Sequence, residues 1–448
     1  MARWKKLAIW LACGLCGIIA AAGIAFGVWA VIAWKAFDRH IERLAAAGRP
    51  GSFQELLGQV PKEGLGLAEE LRSWADRLSE PALKLSELWA RYGGAPDWPA
   101  SEDLAALRNL TEGPAWQPVR ERLVAWASDI DNLELRSGIR GVGSAVSEAP
   151  GVVFVAASHP GENAQELLTQ VLSLTQAYRT LVRFGVLWTN YLAATGDKPE
   201  AVAVGLCLLR FTRIQPPFMV GLLTRVACFQ TSVQSICDLM QGGGISPSTC
   251  RQIEEELSRF HPTAAWEVAI ETERVFGLES FRDLGRSCGY LCRPLAYAAM
   301  NRLVLLTDAA RAVPFESPLS ADELRIRTLL PVRSFGLSTW GPWSVLVDLT
   351  VPAYVSGHQA IWRAIAYMRC AVVLCRITEK GVNDVTDLDM LELPANLLQD
   401  PFTNEPLQIR RRPEGWLIYS VGPDQRDDGG DFAEGKDWGI APRKLRFR

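Results

Sequence analysis

The first pattern along the chain is an unbroken apolar one. Leu7 to Trp34 are 28 consecutive residues without a charge, set between Arg3-Trp4-Lys5-Lys6 and Lys35. At about 1.5 Å per residue this exceeds the roughly 20 residues that cross a bilayer core. The pattern predicts a transmembrane anchor over 7–34 behind a stub at 1–6. A signal peptide would be cleaved near Ala20-Ala21-Ala22, but the apolar run continues for twelve residues beyond that point and would become a bare greasy terminus. An uncleaved anchor is the reading that the pattern supports. Arg3, Lys5 and Lys6 before the span are matched by Lys35, Arg39 and Arg43 after it, so orientation rests on layout. A short basic stub before a long body predicts a cytoplasmic N-terminus and a body outside the cytoplasm.

Beyond the anchor the period becomes helical. Phe37, Ile41 and Leu44 continue it as a stalk up to Gly48-Arg49-Pro50, and a chain starting near Gly48 is expected to be soluble. Amphipathic runs follow at about 52–59, 64–79, 82–92, 101–111 and 117–131, which places a stalk and N-terminal helical region over 35–138. Residues 139–161, rich in Gly, Ser, Ala and Val, break the pattern and read as a joint, with 151–155 as the plausible strand. A helical body is expected over 162–380, from a broad apolar stripe between Leu167 and Leu192 through runs at 199–213, 218–240, 248–260, 264–285, 294–312, 320–329 and 353–379. The turn Thr195-Gly196-Asp197-Lys198-Pro199 is similar to that of tetratricopeptide-like hairpins, and no clean repeat accompanies it. The fold class is therefore mainly α: a transmembrane helix, a body of helical hairpins resembling an irregular solenoid, and a small C-terminal β-hairpin module over 381–448. In that module Pro413-Glu414-Gly415 turns the chain between alternating runs at 406–411 and 416–421.

Composition narrows the function classes. The net charge of −3 and the lack of a basic stripe interleaved with aromatics argue against nucleic acid as a partner. Phosphate-loop, zinc-protease, nucleophile-elbow and dinucleotide-fold signatures do not occur in the sequence. Glu271 and Glu273 stand two apart on a predicted helix, about 200° from each other, so an Arg-paired or solvated role is expected rather than joint acid–base work. Histidines 40, 159, 261 and 358 are far apart; His159 and His261 precede prolines at helix starts, where a hydrogen-bonded cap is the ordinary role. Cys237 and Cys250 flank Gly242-Gly243-Gly244, which leaves a disulfide between them open in an oxidising compartment.

The C-terminal module carries the one specific motif. Asp400-Pro401-Phe402-x-x-x-Pro406-Leu407, followed by Tyr419-Ser420-x-Gly422-x-Asp424-x-x-Asp427-Asp428-Gly429-Gly430, resembles the C-terminal module of uncharacterised membrane-anchored proteins of planctomycete bacteria. It is more loosely similar to the terminal hairpin of type II secretion pseudopilins, whose acidic loop can hold calcium. The resemblance covers about thirty-five residues and brings no activity with it. It makes Asp424, Asp427, Asp428 and Asp431 candidate calcium ligands, since four carboxylates in eight residues repel unless solvated or bridged by a cation.

Three readings of function follow. The first is a structural or protein-interaction module of a bacterial envelope, single-pass, held in the membrane through 7–34 and partnered by envelope proteins. The second is a pseudopilin-related component of a secretion apparatus. The third is a hydrolase whose site the motifs do not show.

Overall fold

The computed structural model describes residues 2–448 apart from 61, 93–96, 99–100, 133–152, 156–163, 316–319, 335, 385–387, 434–435, 443 and 446–448. Most of the joint read over 139–161, including His159, lies outside the described residues. Helices dominate, and the strands are few and short.

Helix α1 (Ala2–Ala46) runs without a break through the apolar segment and on past Lys35. It is the one described helix long and apolar enough to cross a membrane. Its second half is not a free stalk. Ala33, Ala36, Phe37, His40 and Leu44 are buried, and Phe37 and Leu44 belong to the main core of the body. A chain cut near Gly48 would strip a core element, so the expectation of a soluble body from that start fails on packing grounds.

Four helices follow in the N-terminal region after α2 (Phe53–Gln59): α3 (Lys62–Arg77), α4 (Ser79–Tyr92), α5 (Ser101–Thr111) and α6 (Gln117–Asn132). Their apolar faces form one core with α7 (Ala164–Thr195) and α8 (Lys198–Phe211), in which Trp126, Tyr178 and Phe211 are closely packed rings. Helix α7 is the long apolar stripe anticipated from Leu167 onward. Asp197 caps α8 by accepting the Glu200 amide at 3.3 Å, with Pro199 in the first turn.

The larger core is built from α9 (Phe218–Gln241), α10 (Pro247–Ser258), α11 (Pro262–Ser287), α12 (Arg293–Arg311) and α15 (Val351–Lys380). Between α12 and α15 lie α13 (Ala321–Ser334), a single turn at Gly336–Thr339 and the short α14 (Ser344–Asp348). Ser246 caps α10 and Ser320 caps α13 through their hydroxyls, at 3.1 Å in each case. Gly381 closes α15 in the left-handed region at φ 62°, where a side chain would be strained. Cys237 and Cys250 are both buried as free thiols in this core, so no disulfide joins them.

Among the described residues three small sheets complete the architecture. β1 (Asp97–Trp98) pairs in parallel with β7 (Lys444–Leu445), and β2 (Val153–Phe154) pairs in parallel with β3 (Ile214–Gln215). The C-terminal hairpin, β4 (Gln408–Arg412) and β5 (Gly415–Ser420), gains a third antiparallel strand, β6 (Trp438–Ile440). A short helix α16 (Ala395–Leu398) leads into it.

Phe37 tests whether the second half of α1 is core or stalk. Phe37→Ala should cost about 3–5 kcal/mol, the usual penalty for emptying an aromatic core site. Denaturant unfolding of the detergent-solubilised chain measures it; a change within about 0.5 kcal/mol, typical of exposed positions, would return these residues to the status of a stalk.

Candidate functional site: the anchor–body joint and the membrane-proximal end

Where α1 leaves the apolar segment it is clamped on several sides. Phe37 packs against Tyr297 of α12 with ring centroids 5.6 Å apart. The Asn301 amide of α12 donates to the Ala33 carbonyl at 2.8 Å and to the Ser338 carbonyl at 3.0 Å, which ties the anchor to the Gly336–Thr339 turn. Trp29 adds a second tie by donating its indole N–H to the Leu337 carbonyl at 2.8 Å. Just beyond the helix, Arg49 donates to Glu271 at 2.6 and 2.9 Å and to Asp308 at 2.7 Å. Arg274 reaches the other oxygen of Glu271 and donates to the Pro50 carbonyl at 2.8 Å. This buried Arg49–Glu271–Arg274 cluster fixes the chain's exit from α1 to α11 and α12. Burial holds Arg274 down to about 10 despite the Glu271 carboxylate beside it.

Glu271 thus takes the Arg-paired role anticipated for it. Glu273 does not: among the described residues no cation pairs with it, and burial raises its carboxyl to about 7. The two carboxylates are not brought together. Glu256 of α10 is turned inward to Arg210 at 3.0 Å and to Arg213. Such buried ions are hard to see in a sequence because charge on an amphipathic helix reads as exposed; the signal available was the pair Arg210 and Arg213 at the C-terminal end of the apolar α8, which supplies the counter-ions.

His261 occupies the N-cap of α11 but makes no side-chain cap bond. His358 is buried in the N-terminal part of α15 among Trp266, Phe315 and Trp362, and burial lowers it to about 4. Neither lies beside a nucleophile–base pair among the described residues.

Two depressions lie beside α1 at this joint. One is a cleft of about 360 Å³ lined by Phe37, Arg282, Arg286, Arg293 and Tyr297. Arg282 lies 5.9 Å from the Phe37 ring and Arg293 4.1 Å from that of Tyr290. The other is an apolar groove of about 730 Å³ between α1, at Phe26, Trp29 and Ile32, and the Leu337–Pro342 segment.

The acidic loop is organised by hydrogen bonds within the module. Asp427 accepts from the Tyr419 hydroxyl at 2.7 Å and from Arg410 at 2.6 Å, which hold its carboxyl below the ordinary range. Asp431 pairs with Lys436 at 2.6 Å, and Asp424 accepts the Arg426 amide at 3.2 Å. Asp428 contributes its backbone amide to Asp437, which also takes the Gly430 amide at 2.7 Å. Asp437, fully buried under the loop, was not singled out in the sequence. Among the described residues, no group of three His, Cys, Asp or Glu side chains is placed to hold a metal ion.

The Asp-Pro-Phe motif has a structural explanation. Asp400 accepts from the amides of Phe402 and Val421 at 2.8 and 2.7 Å and from the Ser420 hydroxyl at 2.9 Å. Phe402 meets Trp438 edge-on at 5.0 Å and Trp362 of α15 at 6.2 Å. The motif therefore seats the small sheet on α15. No known protein family, characterised protein or solved structure matches the chain.

Two predictions follow from these groups. Asp400→Ala leaves buried donors without an acceptor and should cost about 3 kcal/mol or more, at roughly 1–3 kcal/mol per orphaned group; thermal unfolding checks it, and a near-neutral result would remove Asp400 from its role as the module's tie. Glu273 carries a native pKa of about 7 against an ordinary 4.5. Between those values the native state keeps a proton that the unfolded chain has released, so its contribution is complete below pH 4.5 and declines as pH rises through 7. Glu273→Gln should flatten that alkaline decline in a pH series of unfolding midpoints, and parallel curves for the two proteins would refute the buried, unpaired carboxyl.

Proposed function

We propose that this chain is a single-pass membrane protein whose helical body stands outside the cytoplasm and acts as a structural or protein-interaction module of a bacterial envelope. The observation that carries this reading is the anchor–body joint. A helix that continues unbroken from an apolar span into the body's main core, with its exit clamped by Arg49, Glu271 and Arg274, gives the body a fixed pose over the membrane rather than a flexible tether. A fixed pose serves a component that must present one surface to envelope partners. The use of charge agrees with it: the strongly buried ions of the joint and of the Arg213–Glu256 pair are closed on one another, not turned into a cleft. The short basic stub ahead of the span supports the outward orientation.

Topology is tested by reporters fused after Arg448. One that works only in the cytoplasm should be silent and one that works only outside should be active, with the protein retained in the membrane pellet after a carbonate wash. The opposite pair of signals would overturn the orientation. Crosslinking and mass spectrometry in intact cells then read the interaction role, and a chain that crosslinks to no envelope protein would sink it.

A further inference from the structure

The segment Gly336–Leu349 has its polarity reversed. Its polar side chains point in: Thr339 and Ser344 are buried, and the Ser344 hydroxyl donates to the Thr339 carbonyl at 2.7 Å. Val347 and Trp343 pack toward the main core, but most of its large apolar side chains point out, with Leu337 60%, Trp340 73%, Val345 59% and Leu349 70% exposed. Asp348 is the segment's one charge, and it is held by Arg302 through two hydrogen bonds of 2.7 and 2.5 Å. A surface that hides its hydroxyls, pairs its carboxylate and presents Trp and Leu is matched to an apolar solvent, and a patch of this kind on a soluble face would be a liability.

The position of the patch says which apolar solvent covers it. Leu337 and Trp340 share the 730 Å³ groove with Ala25, Phe26, Trp29 and Ile32, residues of the apolar segment itself. Trp29 is bonded to the Leu337 carbonyl, and Gly341 lies against Trp29 and Leu295. Since α1 enters the body rigidly, whatever surrounds α1 at this level surrounds Leu337 and Trp340 too. The length of the span agrees. Leu7–Val28 is 22 residues, about 33 Å of helix, which already matches a hydrocarbon core of about 30 Å. Trp29–Trp34 is surplus to crossing and falls at the level where the body meets the lipid. Trp340 lies beside it in the groove, and the neighbouring cleft at Phe37 carries Arg286 and Arg293, the latter over the ring of Tyr290, which is 81% exposed; aromatics and arginines of this kind suit the headgroup boundary.

Resting on the single-pass reading, we propose that the Gly336–Leu349 face is a second, monotopic membrane attachment: it is sunk into the leaflet on the body's side, with lipid acyl chains filling the groove beside α1 and lipid phosphates meeting Arg286 and Arg293. The body then lies against the bilayer at two points instead of standing off it on one helix.

The test uses the full-length chain in nanodiscs of phosphatidylethanolamine and phosphatidylglycerol, with photoreactive p-benzoylphenylalanine placed singly at position 340, 346, 24 or 390. Position 24 is in the span; Met390 is exposed beyond the far end of α15, a helix that carries the chain about 45 Å away from Leu349. Lipid adducts at 340 and 346 as strong as at 24, and lost at 390, are the expected result. Adducts at 24 with none at 340 and 346 would put the face in water and overturn the second attachment while leaving the anchor intact. Crosslinked dimers at 340 and 346 in place of lipid adducts would overturn it in favour of an interface between copies. A missing adduct at 24 would instead strike the single-pass reading, independently of what 340 and 346 report.

Discussion

A backbone that crosses lipid must satisfy its own hydrogen bonds, and a backbone that crosses a protein core must do the same. Helix α1 meets both demands with one continuous ladder from Ala2 to Ala46, so no loop or hinge is needed where it passes from one surrounding to the other. What changes along it is only the identity of its neighbours. From Ile18 to Ile32 most of its large side chains are exposed; beyond that Ala33, Ala36, Phe37, His40 and Leu44 are buried, with Asn301 of α12 joining the Ala33 carbonyl to the turn at Gly336–Thr339. The rest of the body is arranged around that handover, with α11 and α12 supplying the acidic groups that receive Arg49.

Ion pairing at the joint is costly in isolation, because each charge loses its water. Arg274 and Glu271 are fully buried, yet the cluster closes on itself with Arg49 and Asp308 and with the Pro50 carbonyl. Such a cluster contributes little net stability compared with apolar packing, but it accepts only one register of α1 against α11 and α12. Apolar contacts around Phe37 would tolerate a slip of the helix; the Arg49 fork would not. Packing and ionic geometry thus divide the work, the first holding the helix in the core and the second fixing its height against α11 and α12.

Much of this architecture is legible in the residues. The apolar run, the caps at Ser246 and Ser320, the stop at Gly381 and the Pro413-Glu414 turn are local signals, and each marks the element it should. Less legible is whatever depends on distant partners. The two-residue pairings of β1 with β7 and of β2 with β3 join segments far apart in the chain, and β6 is too short to stand out before it is seen against β5. The same blindness hid the inward turn of Glu256 and the burial of Asp437, because a carboxylate on an amphipathic stretch looks solvated until its counter-ion or its amide donors are placed. Residues 35–47 were readable as helix but not as core, since nothing local tells a stalk from a strut.

Amphipathicity has a sign that the sequence does not carry. A stretch such as Leu337-Ser338-Thr339-Trp340-Gly341-Pro342-Trp343-Ser344-Val345-Leu346 divides into an apolar and a polar side whichever way it is turned, and in a water-soluble protein the apolar side is assigned to the core. That assignment presumes that the solvent is water. On the proposed second attachment the presumption fails, and the favourable arrangement inverts: hydroxyls close on backbone carbonyls inside, and most of the Trp and Leu side chains face out. The inversion in Gly336–Leu349 follows from the same rule that buries Phe37 about one turn beyond Ala33, namely that each side chain faces the medium it transfers into most readily. The fold is therefore continuous across the boundary, with one principle of burial acting on two solvents.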